Sequence, residues 1–306
     1  MIDYLWLGLG ILCAGIGGEL FVRGAVGLAR WLRLPAGIIG VTIAAFATSS
    51  PELAVSVSAA LSGVSQIALG DALGSNVINI SLILALALLI SGLQTSFSQI
   101  KRDYLVALLT PLIIAVLAFD SQLSRSDGLI LLAIFVGWLV LVIREARQHR
   151  QAAIPTATQA QGGLELLLGA AGLIFLVAAG YLIVNGAKGI AAAWGIDEFV
   201  IGATVVAVAT GTPELATTLI SKLRGHDELG LGNILGSNIF NGLFIVAVAA
   251  LISPITITWS EVVIGLIFGV ITTLVIFPFG RGWLGRWQAI LLLLIYAIYN
   301  MAILQQ

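Results

Sequence analysis

The chain contains one long stretch twice. Residues 17–91 align with residues 179–253 at a constant offset of 162, without a gap, and 32 of the 75 positions are identical. A repeat of this length constrains the fold before anything else, because both copies must adopt one structure. Each copy sets a carboxylate, hydroxyls and a proline in the middle of an apolar run. The first reads Ala47-Thr48-Ser49-Ser50-Pro51-Glu52-Leu53, the second Ala209-Thr210-Gly211-Thr212-Pro213-Glu214-Leu215.

The surroundings of these stretches are those of a lipid-embedded chain. Of 306 residues 59% are hydrophobic and 9% charged, against about 25% charged in soluble domains, and mean hydropathy is +1.10. This is a polytopic membrane protein. A carboxylate at membrane depth costs about 2.5–3.5 kcal/mol on insertion scales and marks a functional position by default. The proline beside it removes a helical hydrogen bond and frees carbonyls for another partner. The net charge of −1 gives no argument for nucleic acid. Cys13 is the single cysteine, so no disulfide framework exists, and His149 and His226 lie in polar connections. The N-terminus lacks a basic n-region and a small-residue cleavage site, so it reads as a first membrane span.

About 20 apolar residues cross a bilayer. Ten segments qualify: 4–28, 36–61, 67–91, 103–119, 127–145, 164–188, 198–221, 229–252, 260–279 and 284–304. They form two five-helix halves, 1–145 and 164–306, joined by a polar linker at 146–163. Odd-numbered connections hold 12 of the 14 Lys and Arg residues, and even-numbered ones hold only Arg125 and Lys188. The positive-inside rule then puts the odd connections, including the linker, in the cytoplasm and both termini outside, in the inner (plasma) membrane. Because five spans separate the copies, the halves run upside down relative to each other. Inverted repeats with interrupted helices are an architecture of secondary transporters, with ions bound at the interruptions. The expectation is an all-α protein of ten transmembrane helices, the second and seventh broken.

A second stretch recurs downstream, Gly70-Asp71-Ala72-Leu73-Gly74-Ser75-Asn76-Val77-Ile78-Asn79 and Gly232-Asn233-Ile234-Leu235-Gly236-Ser237-Asn238-Ile239-Phe240-Asn241. Glycines four apart let helices approach closely. Ser75 and Asn79 share a helix face, as do Ser237 and Asn241. The site then offers two glutamates, amides, hydroxyls and freed carbonyls, all hard oxygen donors of the kind calcium takes six to eight of. Two ionised glutamates neutralise one divalent ion; with no cation between them they repel, and one tends to take a proton. Other readings stand beside this one. Asn79 and Asn241 serve equally as interhelical glue, Ser75 and Ser237 as small packing residues, and Thr48, Ser49 and Thr210 as caps of the broken helices. Glu19 and Arg23, at i and i+4, read as an interfacial ion pair. Asp71, whose repeat partner is Asn233, reads as a vestibule or capping residue.

At these residues the sequence resembles the α-repeats of the sodium/calcium exchanger family, within the calcium:cation antiporter superfamily, and most closely its prokaryotic members. The resemblance covers the whole chain. It implies that Glu52 and Glu214 are central calcium ligands shared with sodium. It adds the carbonyls of Thr48 and Thr210 to calcium. Ser49, Ser75 and Ser237 would help hold sodium, with the carbonyls of Ala45 and Ala207 nearby, and Asn79 and Asn241 would line the middle. Three departures from the family pattern stand out. Ala47 and Ala209 replace a leading glycine, Gly211 replaces the serine opposite Ser49, and Asn241 stands where some members have aspartate. The expected function is export of Ca²⁺ in exchange for Na⁺ by alternating access, with H⁺/Ca²⁺ exchange as the alternative. No cofactor is implied: the partners are inorganic cations and the lipid bilayer, and the oligomeric state is unspecified. A cation channel built of oxygen rings and an intramembrane enzyme are rivals of other classes. Against the enzyme, the sequence shows no nucleophile–base set and no HExxH.

Overall fold

A computed structural model of the chain describes residues 2–61, 63, 65–152, 162–193, 210–278 and 282–305. The described residues are helical almost throughout, as apolar spans must be where no water can satisfy a backbone amide. In order come α1 (Ile2–Leu32), α2 (Ala36–Ile39), α3 (Ala45–Thr48), α4 (Ser50–Leu61), α5 (Ser65–Ile78), α6 (Ala85–Ile90), α7 (Phe97–Leu117), α8 (Arg125–Ala152) and α9 (Gly162–Ala193). Then follow α10 (Thr212–Leu223), α11 (Asp227–Ile239), α12 (Val246–Ile252), α13 (Trp259–Val275) and α14 (Arg286–Leu304). π-Helical turns at Gly40–Ala44, Asn79–Leu84 and Phe240–Ile245 join α2 to α3, α5 to α6 and α11 to α12. Seven of the described helices are long and apolar enough to cross a membrane, and the broken pair 36–48 and 50–61 brings the number to eight.

The spans read from the sequence fall on these helices. Two differences are physical. α8 continues through Glu145, Arg147 and His149 to Ala152, because a polar surface with Glu145 and His149 at i and i+4 does not stop a helix that already has a long apolar run behind it. The linker expected at 146–163 is therefore helical in its first part, while 153–161 lie outside the described residues. The upstream part of the seventh span, including Ala207 and Ala209, also lies outside them.

The chain packs as two units, each drawing on both halves. One comprises Met1–Ser49 with Val140–Ile234, the other Ser50–Leu139 with Leu235–Gln306. In the first unit α1 lies along α9 with almost no side chain between the backbones. A Cβ on Gly24 would collide with the backbone of Gly169, and one on Gly172 with the backbone of Phe21. Such glycine faces bring lipid-embedded helices close enough for backbone van der Waals contact. Phe21, Val22, Ala25, Val26 and Ala29 of α1 pack there with Ile39, Ala44, Ala47, Leu176 and Leu229.

The second unit repeats its own connections around a two-fold relation. β1 (Leu93–Gln94) pairs antiparallel with β4 (Trp283–Leu284), and β2 (Gln122–Leu123) with β3 (Ile255–Thr256). Each pair joins two connections of the same parity in the span count, odd with odd and even with even. Arg125 donates to the carbonyl of Leu251, and Arg286 to the carbonyl of Leu89; residues 89 and 251 differ by the repeat offset of 162. Each arginine thus caps the C-terminal end of a helix, where cations are favoured. This gives Arg125 a structural reason to stand in a connection with no other basic residue.

Replacing Gly24 or Gly172 by leucine should destabilise the protein by about 1–3 kcal/mol or more, since the opposing atoms are backbone and cannot give way. Leucine at Gly8, which faces open space, should change little. Melting temperature in detergent, followed by size-exclusion chromatography, distinguishes the two outcomes.

Candidate cation site

Both glutamates stand in the first turn of a helix that begins just after a break. Glu52 is in the first turn of α4 and Glu214 in that of α10, and each is 1% exposed. The proline one residue earlier is tolerated there because the first-turn amides have no helical partner to lose. α3 ends at Ser49, whose backbone (φ −84°, ψ 12°) is neither helical nor extended. Its repeat partner Gly211 has almost the same conformation (φ −74°, ψ 2°) ahead of α10. Neither torsion requires glycine, so Gly211 differs from Ser49 in chemistry and not in backbone need.

In the first unit the break of one repeat reaches the acid of the other. Ser49 Oγ donates to Glu214 Oε1 at 2.9 Å, both residues fully buried. A glycine at 211 has no hydroxyl to make the repeat-related bond. Thr48 Oγ1 donates to Asn233 Oδ1 at 3.1 Å. α11 comes close to the Gly40–Ala44 turn here: a Cβ on Gly40 would collide with the carbonyl of Leu229 and crowd Asn233 N. Asn233 therefore holds the end of α3 in place, and its Nδ2 is buried with no partner among the described residues. Thr210 is buried, and Ala45, also buried, accepts the amide of Ser49.

In the second unit the two copies of the Gly-Ser-Asn stretch clasp each other. Asn76 Nδ2 donates to the carbonyl of Asn238, and Asn238 Nδ2 to the carbonyl of Asn76, both at 3.0 Å. These residues are repeat partners, so the bonds are a reciprocal pair about a local two-fold axis. Asn79 Nδ2 donates to Asn238 Oδ1 at 3.0 Å. Asn241 is fully buried with neither amide atom bonded among the described residues, and Ser75 Oγ is likewise buried and unbonded. Ser237 is also buried. Asn79 thus takes part in helix–helix bonding, whereas Asn241 and Ser75 keep their polar atoms uncommitted. The π-turns begin at Asn79 and at Phe240, next to Asn241. A π-bulge shifts the backbone register by one residue and is frequent at functional sites.

The sequence reading named Glu52, Glu214, Thr48, Thr210, Ser49, Ser75, Ser237, Asn79, Asn241 and Ala45, and all are buried. Ala207 lies outside the described residues. It did not single out Asn76, Asn238 or Asn233 as acting residues. The first two stood in the quoted motif in corresponding positions, which was the available signal.

Buried, duplicated glutamates in the first turns of two helices, in a chain of long apolar helices, are the features of a polytopic membrane carrier of inorganic cations. The chain belongs to the sodium/calcium exchanger family: the family described as sodium/calcium exchanger protein matches residues 2–144 and 164–305. Among its relatives, the sodium/calcium exchanger MaX1 of Methanosarcina acetivorans is 28% identical over 97% of both chains. The inner membrane protein YrbG of Escherichia coli is 36% identical over 80% of this chain and 78% of its own. A solved structure of the sodium-calcium exchanger NCX_Mj, soaked with Na⁺ and Sr²⁺, matches with a TM-score of 0.84 at 32% identity over 97% of each chain. The chain is accordingly a membrane antiporter and not an enzyme.

The Thr48–Asn233 bond is open to a double-mutant test. Thr48→Val and Asn233→Ala should each cost about 1 kcal/mol of stability, the net worth of a buried neutral hydrogen bond. Together they should cost little more than either alone, since the second change finds nothing left to break. Melting curves of the four proteins in detergent give the coupling directly.

Proposed function

We propose that the protein exports Ca²⁺ in exchange for Na⁺ by alternating access, with both ions competing for Glu52 and Glu214. The observation that carries this reading is the pair of repeat-related carboxylates, both withdrawn from solvent at helix breaks. Two carboxylates balance the charge of one Ca²⁺, and the surrounding neutral oxygens complete a flexible shell. Thr48, Thr210, Ala45 and Ala207 contribute carbonyls, Ser49, Ser75 and Ser237 hydroxyls, and Asn79 and Asn241 amides. With no cation between them the two charges are unstable together, so the site changes sides only when loaded. The halves comprise 1–145 and 164–306. The odd connections face the cytoplasm of the inner membrane and both termini face outward.

Exchange with protons is the second reading, and Gly211 is the observation that favours it. One sodium-holding hydroxyl is missing where the backbone would accept serine. Asn241, in place of a third carboxylate, leans the same way, since two glutamates exchanging two protons for one Ca²⁺ would be electroneutral.

In vesicles, Ca²⁺ uptake driven by an opposing Na⁺ gradient should disappear in Glu52→Gln and in Glu214→Gln. Uptake that ignores Na⁺ and follows a pH gradient without current would replace sodium by protons as the coupling ion. Gly211→Ser should restore a hydroxyl and lower the half-saturating Na⁺ concentration by about five-fold, the worth of one added polar contact of roughly 1 kcal/mol.

A further inference from the structure

Beyond Glu214, α10 carries a line of hydroxyls that the ion site does not use. Thr217, Thr218 and Ser221 follow Glu214 at i+3, i+4 and i+7, so the four side chains form one continuous stripe along the helix. Thr217 is 0% exposed, Thr218 2% and Ser221 0%, and none of the three hydroxyls has a hydrogen-bond partner among the described residues. Several other helical hydroxyls in this protein satisfy themselves on the carbonyl one turn back, whereas buried Ser56 and Ser75 do not. Thr42 donates to Ile38, Ser81 to Val77, Thr110 to Val106, Thr272 to Phe268 and Thr273 to Gly269, at 2.6–2.8 Å. That bond is open to Thr217, Thr218 and Ser221 as well, and they do not make it. A buried hydroxyl without a partner is costly, so three in succession call for a compensating ligand.

The stripe belongs to one half only. Subtracting the repeat offset, Thr217, Thr218 and Ser221 correspond to Val55, Ser56 and Ala59. Ser56 is buried and unbonded like Thr218, but the other two hydroxyls are replaced by alkyl groups, so the full line of three is present in one half only. On α10 it continues to the connection that follows, where the buried Lys222 ammonium is held by Asp227 at 2.9 Å. The Cβ of Ser221 and the backbone of Thr218 lie against Gly230 of α11.

We propose that Thr217, Thr218 and Ser221 form a transit subsite for partly hydrated cations on the cytoplasmic access route to Glu214. The proposal rests on the exchange reading for its cargo and on the positive-inside rule for its side of the membrane. Neutral hydroxyls suit this task. They replace hydration waters of Ca²⁺ or Na⁺ with equally hard oxygens, yet carry no charge that would trap the ion, and conduction needs sites weak enough to leave. Lys222, in the last turn of α10, has its charge matched by Asp227, so it does not repel an arriving cation as a lone ammonium would.

The experiment uses the full chain with Cys13→Ala as background, reconstituted in vesicles, and single cysteines introduced as Thr218→Cys and Ser221→Cys. A cationic, membrane-impermeant methanethiosulfonate should modify both from the cytoplasmic face and not from the other. Ca²⁺ at about ten times its Kd should slow that modification about ten-fold by mass action. The hydroxyl-free variant Thr217→Val, Thr218→Val, Ser221→Ala should slow maximal Ca²⁺ flux about ten-fold while the half-saturating Ca²⁺ stays within about three-fold, the split expected of a route and not of the central site. Cysteines inert from both faces, cysteines modified from the outer face, or a hydroxyl-free variant that transports at the parental rate would each overturn the subsite. Thr217→Ser, which keeps the hydroxyl, should keep the flux and so reports on folding. Absence of Na⁺-driven Ca²⁺ flux in the parent removes the exchange reading, whereas one-sided modification is read without any flux.

Discussion

A carboxylate cannot rest in hydrocarbon without something to answer its charge, and this chain places two there. Every local feature around them serves that requirement. α3 ends at Ser49 and α10 begins after Gly211, which puts each acid in the first turn of a helix, where backbone amides lack helical partners. Prolines 51 and 213 make the stop permanent, because neither can donate the amide that would close the ladder. Ser49 then supplies a hydroxyl to Glu214 from the opposite repeat. With Glu214 ionised, this bond is stronger than one between neutral partners, yet it leaves the net charge for a cation to balance.

Breaking helices in lipid has a structural cost that the rest of the fold offsets. The short α3 has too few residues to hold itself, and it is fixed laterally through Thr48 to Asn233 and by the close approach at Gly40. The helices bearing the Gly-Ser-Asn stretches bind each other through Asn76 and Asn238, side chain to backbone in both directions. That reciprocal geometry comes readily to two copies of one residue related by a two-fold axis. Duplication is therefore more than a record of origin: it is what allows a reciprocal pair to form. The arginine caps on Leu251 and Leu89 follow the same logic at the helix ends.

Much of this was legible in the sequence. Ten apolar runs, an offset of 162 and a lopsided distribution of Lys and Arg carry the span count and the inverted halves, and the strand pairs β1–β4 and β2–β3 join connections of matching parity. The buried glutamates were legible because a charge in an apolar run is costly enough to need a reason. What stayed hidden is whatever depends on side-chain direction between segments far apart in the chain. Asn233 read as the partner of Asp71, and nothing in the sequence spacing shows that it meets Thr48, 185 positions earlier. The π-turns were hidden as well, since one extra residue in a turn leaves no mark on hydrophobic periodicity. The helical extension of α8 was hidden for a simpler reason: polar residues at the end of a long span look alike in a helix and in a loop.

The places where the repeats differ say more than the places where they agree. Identical halves would give a carrier with equivalent sides, because inversion exchanges one for the other. Here Ser49 faces Gly211 in the alignment, Asp71 faces Asn233, and Val55 and Ala59 face Thr217 and Ser221. Each difference adds or removes a hydroxyl or a charge, and at the break the backbone frame is kept: residues 49 and 211 have nearly the same torsions although one has lost its side chain. The frame is thus held fixed while the polarity of its two sides is varied. A carrier that meets different ion concentrations on its two sides needs that kind of inequality, and point changes inside a duplicated scaffold supply it without disturbing the clasp that holds the scaffold together.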